Sequence, residues 1–337
     1  MAPTLRSRKT VAYSQPARFT GPINTTGLAA LPPELLLEIV DYFRSVRTVW
    51  SVTGGPLPRA QRDRQIVIRI LSQLCRSFRH ANIEVCTVKE ETWAKRGSRI
   101  KGIDGVRYAA WQKELAYDLI NQLETVTIRN PQYAAHVQNV SVIITRFSLP
   151  TVLPEFARCL SLLPNLATLQ LHSEVPSIFN FHHNIPLQKA FRGYKYKGIR
   201  TLVIPPSNIG ILRACPNVHW LHLTQAGYAP NLADDHHQYG LHELTGVSSP
   251  FFLSGLASKL PHLNYIQLIA SGVYADCAKC IKELPKFPEL KTIEIRYPAN
   301  SRISKKEFDA LEKSASDVLG RLPSIQGIKR TVRLRSL

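Results

Sequence analysis

The sequence predicts an α/β fold in which a small helical N-terminal module precedes a longer series of helix–strand units. Near the N-terminus, apolar residues recur at the three- and four-residue spacings of helices that each bury one face. In the second half of the chain, a frame of proline followed by spaced apolar residues returns several times, and each copy follows a helix-like segment. With 337 residues, 44% of them hydrophobic, the chain is long enough for about two domains.

The N-terminal module is predicted from two amphipathic segments, the first of which is LPPELLLEIVDYF at residues 31–43. Pro32 and Pro33 suit a helix start, because the first amides of a helix have no intrahelical partner. One apolar face then follows, formed by Leu35, Leu36, Ile39, Val40 and Phe43. A second face repeats at Val67, Leu71, Leu74 and Phe78. Periodicity alone fits an ordinary helical core as well as a docking module.

These two segments together resemble an F-box, in the form common in fungal proteins. The strings that carry the resemblance are LPPELLLEI from residue 31 and L-x-x-LCRSFR from residue 71. Proteins of this family bind a Skp-type adaptor and connect a substrate receptor to a cullin-RING ubiquitin ligase. The resemblance implies a set of adaptor-binding residues, which are Leu31, Pro32, Leu35, Ile39, Leu71, Leu74 and Phe78. The chain departs from the compact motif by an arginine-rich insertion at residues 44–65.

Four parts of the chain are predicted from composition and pattern. Residues 1–27 contain no acidic residue and three prolines, which indicates a disordered basic tail. The alternatives for this tail are a mitochondrial presequence, which would need an amphipathic helix, or a nuclear-import patch. The F-box-like module spans residues 28–93, with a further helix at 81–93. Residues 94–130 are a helical linker with its helix at 108–123, and residues 131–337 are the repeat region.

The repeat region contains four copies of the frame Pro-x-apolar-x-x-apolar-x-apolar, which begin at Pro164, Pro216, Pro261 and Pro288. Copies without the proline begin at Val137, Ile199 and Ile325. This L-x-x-L-x-L spacing is typical of a leucine-rich repeat, in which a short strand buries alternate side chains. We therefore expect an irregular leucine-rich-repeat solenoid with helices at 153–163, 209–214, 251–260 and 277–284, and long loops at 175–198 and 225–250. An unrelated α/β fold with a parallel sheet shares this alternation and is the alternative.

The formal charge of +19, from 43 basic and 24 acidic residues, favours an acidic partner. Basic residues concentrate in the 44–65 insertion and in the string FRGYKYK at residues 191–197. The predicted contacts with such a partner are Arg59, Arg62, Arg64, Arg192, Lys195 and Lys197. Interleaved aromatic and basic residues also suit nucleic acid, which is the less favoured partner. The plain alternative is a solvated loop whose tyrosines lie across the repeat domain.

Recognised catalytic and cofactor motifs are missing from the sequence, so we expect a protein that is not an enzyme and has no cofactor. There is no nucleophile-elbow, zinc-protease, P-loop or dinucleotide fingerprint. Cys277-x-x-Cys280 lacks the second ligand pair of a zinc site, which favours core thiols. Six scattered cysteines without a secretory segment fit a reducing compartment, the cytoplasm or nucleus. Without a run of 18 apolar residues, no membrane partner is expected.

Together these observations predict the substrate-recognition subunit of a Skp-cullin-F-box type E3 ubiquitin ligase, acting in ubiquitin-dependent protein degradation. The F-box-like module would dock to the adaptor, and the repeat domain would hold a protein target. The alternative is a basic leucine-rich-repeat scaffold that binds nucleic acid or an acidic protein without ligase activity.

Overall fold

A parallel β-sheet organises the part of the chain that the computed structural model describes, namely residues 35, 83–86, 105–145, 147–148, 151–173, 187–224, 239–270, 274–297, 304–322 and 330–336. Nine strands form this single sheet, and their order in space is their order in the chain. Every neighbouring pair runs parallel, so each strand is followed by a connection that returns to the same end of the sheet. The predicted α/β class is confirmed.

The strands are short, as expected for repeating units. They are β1 (Ile83–Cys86), β2 (Val137–Ile144), β3 (Thr168–Ser173), β4 (Thr201–Ile204), β5 (Trp220–Leu223), β6 (Glu243–Val247), β7 (Tyr265–Ile269), β8 (Thr292–Tyr297) and β9 (Thr331–Ser336).

Helical segments fill most of the connections. The α-helices are α1 (Gly105–Glu124), α2 (Val152–Leu160), α3 (Pro250–Leu256), α4 (Tyr274–Glu283) and α5 (Lys305–Arg321). A π-helical turn follows α1 at Thr125–Arg129, and 3-10 helices lie at Pro131–His136, Pro206–Ala214, Ala257–Lys259 and Leu284–Lys286. The helices predicted at 108–123, 153–163, 251–260 and 277–284 are confirmed, whereas the segment at 209–214 is a 3-10 helix.

One row of apolar side chains crosses the sheet in continuous register, and we call it the leucine ladder. Its members pair directly from strand to strand and are Val140, Leu169, Leu202, Leu221, Leu244, Ile266, Ile293 and Val332. All are fully buried except Val332, which is half-buried. From Val140 to Ile293, each is the second apolar position of the L-x-x-L-x-L frame. The spacing in the sequence therefore predicts the register in space.

The same frame also predicts a second set of buried side chains, which lie just before the strands at the edge of this core. Its first apolar residue lies before each strand and is buried in every unit from Leu166 to Leu290. The backbone amide of the residue after this position bonds the preceding unit repeatedly, for example Arg200 N–H to the Ala167 carbonyl and Lys291 N–H to the Asn264 carbonyl, both 2.8 Å. Each buried leucine or isoleucine contributes about 1.5–3 kcal/mol, so the units stabilise one another by stacking.

Two sequence predictions are corrected by the sheet. Ile83–Cys86 is a strand rather than part of a helix at 81–93, because it pairs in parallel with β2. Thr331–Ser336 adds a strand after β8, and its Val332 pairs with Ile293. The frame copy predicted from Ile325 lies outside the described residues and stays a prediction. On α1, Leu119 and Leu123 are buried in the main core, whereas Ile120 is 39% exposed.

The second correction concerns β6 (Glu243–Val247), which occupies part of the loop predicted at 225–250. Leu241 and Leu244 occupy the first two apolar positions of the frame. The next apolar residue is Val247, one position later than the frame requires, and the strand pairing shifts between Leu244 and Val247. Gly246 has a φ of +82°, which L side chains rarely adopt. A Cβ at Gly246 would lie 2.0 Å from the Leu223 carbonyl oxygen. The single extra residue conceals this strand from a search for the regular spacing.

Candidate functional site

The face of the sheet opposite the leucine ladder carries a row of mostly polar side chains. Successive side chains of a strand point to opposite faces, so the residues that follow the ladder positions lie together. The members of this polar row are Ser141, Gln170, Val203, His222, Thr245, Gln267 and Glu294. Five of its polar members are at most 4% exposed, and the row is therefore largely removed from water.

Glu294 is the charged centre of the polar row. Its carboxylate is 2% exposed and accepts hydrogen bonds from Tyr265 (2.9 Å), Gln267 (3.1 Å) and the Arg296 guanidinium (2.6 Å). Removing a carboxylate from water costs on the order of several kcal/mol, and these three donors offset that cost. Burial, followed by the bond to Glu294, raises the pKa of Tyr265 to about 12. The tyrosine therefore remains a hydrogen-bond donor at neutral pH.

His222 lies in the middle of the polar row and has no exposed surface. Its Nδ1 is 2.7 Å from the Thr245 hydroxyl, which also lies 3.3 Å from the Leu221 carbonyl oxygen. Because that carbonyl can only accept, we assign the Thr245 proton to it and the imidazole proton to His222 Nδ1. His222 Nε2 then has a buried lone pair without a partner. Such a group destabilises the fold by about 1–3 kcal/mol.

Both histidines on this face are held neutral. Burial lowers the pKa of His222 to about 3, and the nearby Arg296 and His172 act in the same direction. Desolvation lowers the pKa of His172, on β3, to about 4. Neither imidazole exchanges protons near neutral pH, so the polar row orders the sheet through hydrogen bonds rather than through acid–base chemistry.

A cavity of about 510 Å³ lies on a different part of the molecule, between the segment that precedes β4 and the 3-10 helix that follows it. Four basic residues line it, namely Lys189, Arg192, Lys195 and Arg213. We call this cavity the basic groove. The other lining residues carry no charge. An electropositive concave surface of this kind attracts anionic groups.

The wall of the basic groove is fixed by buried aromatic side chains. Phe191 and Tyr196 are 3% and 5% exposed, and their rings meet edge to face at 5.9 Å. The Tyr196 hydroxyl donates to the Ala157 carbonyl (2.8 Å), and its backbone amide donates to the Ala214 carbonyl (2.7 Å). The half-buried Tyr194 ring stacks on Tyr196 at 5.7 Å. Burial raises the pKa of Tyr196 well above its ordinary value.

A third feature is an exposed row of histidines where β5, β6 and β7 begin. The rings of His219 and His242 stack with centroids 5.3 Å apart, and His242 lies 6.5 Å from His262. Arg200 Nη1 is 3.3 Å from His219 Nε2 at one end, and the Glu289 carboxylate is 3.2 Å from His262 Nδ1 at the other. No group of three or more His, Cys, Asp or Glu side chains suited to a metal ion occurs in the described part of the chain.

The predicted contact residues fall into two groups. The adaptor-binding residues lie outside the described residues except Leu35, which is helical and 45% exposed. Arg59, Arg62 and Arg64 also lie outside them. The structure brings Arg192 and Lys195 together in the basic groove. Lys197 is exposed and does not line the groove; its carbonyl accepts a bond from Asn217 (2.9 Å).

Sequence reasoning missed two members of the basic groove. Lys189 lies in a helical segment at 187–191, and Arg192 is the turn residue that directly follows it; a spacing of three residues places two side chains on one side of a helical turn. Arg213 has no comparable local signal, because β4 separates it from the FRGYKYK string. The histidine row could have been found from the repeats, since His219 and His242 each directly precede a strand.

The described cysteines are buried free thiols, namely Cys159, Cys215, Cys277 and Cys280. Burial raises the pKa of Cys215, Cys277 and Cys280 to about 12. These thiols are therefore protonated at neutral pH and weakly nucleophilic. Among the helices of the described residues, none is both long enough and apolar enough to cross a membrane.

Comparison with known proteins gives no assignment: no protein-family model matches this chain, and no curated protein shows significant similarity to it. The chain's own motifs and geometry are therefore the basis for inferring what it does.

Proposed function

We propose that this protein is a non-catalytic substrate receptor of a Skp-cullin-F-box type ubiquitin ligase. The segment at residues 28–93 docks to a Skp-type adaptor. The sheet domain is an irregular leucine-rich-repeat solenoid that holds a protein target. The protein acts in the cytoplasm or nucleus, where such ligases and reduced thiols are found together.

The leucine ladder is the observation that carries this proposal. Seven units stack in chain order from Val140 to Ile293, six of them with the full L-x-x-L-x-L spacing and the β6 unit with one extra residue. In such a stack each unit contacts mainly its neighbours, and the result is an extended surface suited to binding another protein. A basic, repeat-built surface next to an F-box-like sequence is the arrangement expected of a substrate receptor.

Leu35 provides the second support, because it belongs to the adaptor-facing set that the F-box resemblance implies. It is helical and 45% exposed, so its side chain is available to a partner. A charged residue at this position would remain in contact with water in the free protein. Its effect would therefore fall on docking more than on folding.

Co-purification with a Skp-type adaptor tests the proposal. The tagged full chain, co-expressed with the adaptor, is expected to retain it, and Leu35→Asp combined with Ile39→Asp is expected to lose it. Ile128→Asp is the matched control, because Ile128 is an apolar residue that is 61% exposed on the sheet domain. The proposal is wrong if the wild-type chain retains no adaptor, or if both variants lose it equally.

A second function is favoured by the basic groove: a basic scaffold that binds an acidic protein or nucleic acid without any ligase. Four cations around one cavity suit an anion whether or not an adaptor is present. The same co-purification separates the two functions. Absence of adaptor, together with salt-sensitive binding of an anionic partner, favours the scaffold.

A further inference from the structure

We propose that the basic groove binds an acidic segment of the target protein, through two or three neighbouring Asp or Glu side chains. The inference rests on the proposed function, since it identifies where the target is held and by what chemistry. It places recognition at the β4 unit of the sheet domain rather than on the polar row of the sheet, whose side chains are largely buried.

The lining of the groove carries positive charge from four side chains. Lys189, Arg192 and Lys195 are exposed, and Arg213 completes the set on the opposite wall. No carboxylate is among the residues that line this cavity in the described part of the chain. By contrast, the nearby Arg158 on α2 is paired with Glu155 in a two-point ion pair. Lys189, Arg192 and Lys195 are thus the cations placed to meet an external anion.

The basic groove is also preformed before any ligand binds. The Lys195 ammonium donates to the Arg213 carbonyl (2.8 Å), which joins the two walls and leaves two further ammonium N–H groups for a ligand. The buried Phe191 and Tyr196 hold the intervening backbone. Gly193 has a φ of +90° and open space around it. Little backbone ordering is needed on binding, which favours affinity for a short peptide.

The aromatic residues favour a peptide over nucleic acid. Binding of single-stranded nucleic acid relies on aromatic faces on which bases stack. Here Phe191 and Tyr196 are buried, and one face of Tyr194 is covered by Tyr196. A volume of about 510 Å³ is that of a compact pocket. It accommodates a few carboxylate side chains more readily than a continuous phosphate backbone.

Fluorescence anisotropy with the purified full chain tests this proposal. The probe is a fluorescein-labelled peptide with six consecutive glutamates, and a six-glutamine peptide shows the dependence on charge. Lys189→Glu with Arg192→Glu is expected to weaken binding of the glutamate peptide by at least about tenfold. An oligothymidylate with the same number of charges is measured in parallel.

The matched control is Lys305→Glu with Lys306→Glu, two exposed cations at the start of α5. Each double variant replaces two positive charges with two negative ones, so both lower the formal charge by four, from +19 to +15. The control is expected to change affinity by less than about threefold, since distant surface charges are screened. Equal weakening in both variants would show that net charge, not the groove, binds the peptide.

Two further outcomes overturn the proposal: no binding of the glutamate peptide by the wild-type chain, or groove-dependent binding of oligothymidylate that is tighter than that of the peptide. If the glutamate variants fail to fold, Lys189→Gln with Arg192→Gln is compared with Lys305→Gln and Lys306→Gln. Adaptor co-purification is measured on the same variants and is expected to be unchanged. If the ligase proposal is wrong, the wild-type chain does not retain the adaptor. If the groove proposal is wrong, adaptor retention is unaffected and only the peptide measurements show it.

Discussion

Replacing Gly246 with alanine should destabilise the protein more than the same change at any other described glycine with a positive φ. Gly246 lies in β6, where the strand contains one residue more than the repeat frame. Its φ is +82°, and an added Cβ would lie 2.0 Å from the Leu223 carbonyl oxygen and 3.1 Å from His222 Cε1. The new methyl group would therefore collide with the neighbouring strand.

The expected magnitude has two parts. A side chain at positive φ costs about 1–2 kcal/mol. Relieving the contact with Leu223 requires β5 and β6 to separate, which weakens at least one strand hydrogen bond and adds about 1–2 kcal/mol. The reduced freedom of the unfolded chain returns about 0.4–1 kcal/mol. Gly246→Ala should thus lower the free energy of unfolding by about 2–3 kcal/mol.

Two other glycines separate these contributions. Gly193 has a φ of +90° with nothing within 4 Å of an added Cβ, so Gly193→Ala should show the conformational cost alone, about 1 kcal/mol. Gly240 also has open space and does not have a positive φ. Gly240→Ala should change stability by less than about 0.5 kcal/mol.

Urea unfolding of the three variants and the wild type provides the measurement. Circular dichroism and tryptophan fluorescence are followed together, since coincident transitions establish that one free energy describes the change. The order expected is Gly246→Ala least stable, then Gly193→Ala, then Gly240→Ala. If Gly246→Ala is no less stable than Gly193→Ala, the close approach of β6 to β5 does not exist in solution.

Two further predictions follow from the two faces of the sheet. Ile266→Ala in the leucine ladder should lower the free energy of unfolding by about 2–5 kcal/mol. Ile128→Ala, at a side chain that is 61% exposed, should change it by less than about 0.5 kcal/mol. Equal losses of the two variants in urea unfolding would contradict this prediction. Burial lowers the pKa of His222 in the folded protein to about 3, below its ordinary value near 6.5. Its contribution to the free energy of unfolding is therefore complete above pH 6.5 and is lost as pH falls towards 3, with a slope up to about 1.4 kcal/mol per pH unit. Urea titrations between pH 7.5 and 5 should show a shallower decline for His222→Gln, and parallel declines would refute the assignment.

The sequence alone determined the α/β class, most of the helices and the strand registers that share the L-x-x-L-x-L frame. It could do so because this information is local: the spacing that buries Leu166, Leu169 and Leu171 lies within six consecutive residues. It also indicated Arg192 and Lys195, because their string is unusually basic. The adaptor-facing residues, Leu35 among them, are a prediction from resemblance.

Only the tertiary structure decided which distant residues meet. Arg213 joins Arg192 in the basic groove because the 3-10 helix that follows β4 packs beside the segment that precedes this strand. His222 meets Thr245 because β5 and β6 are paired in register, 23 residues apart. β6 itself was hidden by the extra residue at Gly246, whose conformation is stabilised by its neighbours and not by its own sequence. Contacts between units depend on how the units stack, and a one-residue shift is enough to conceal a strand from the pattern that predicts it.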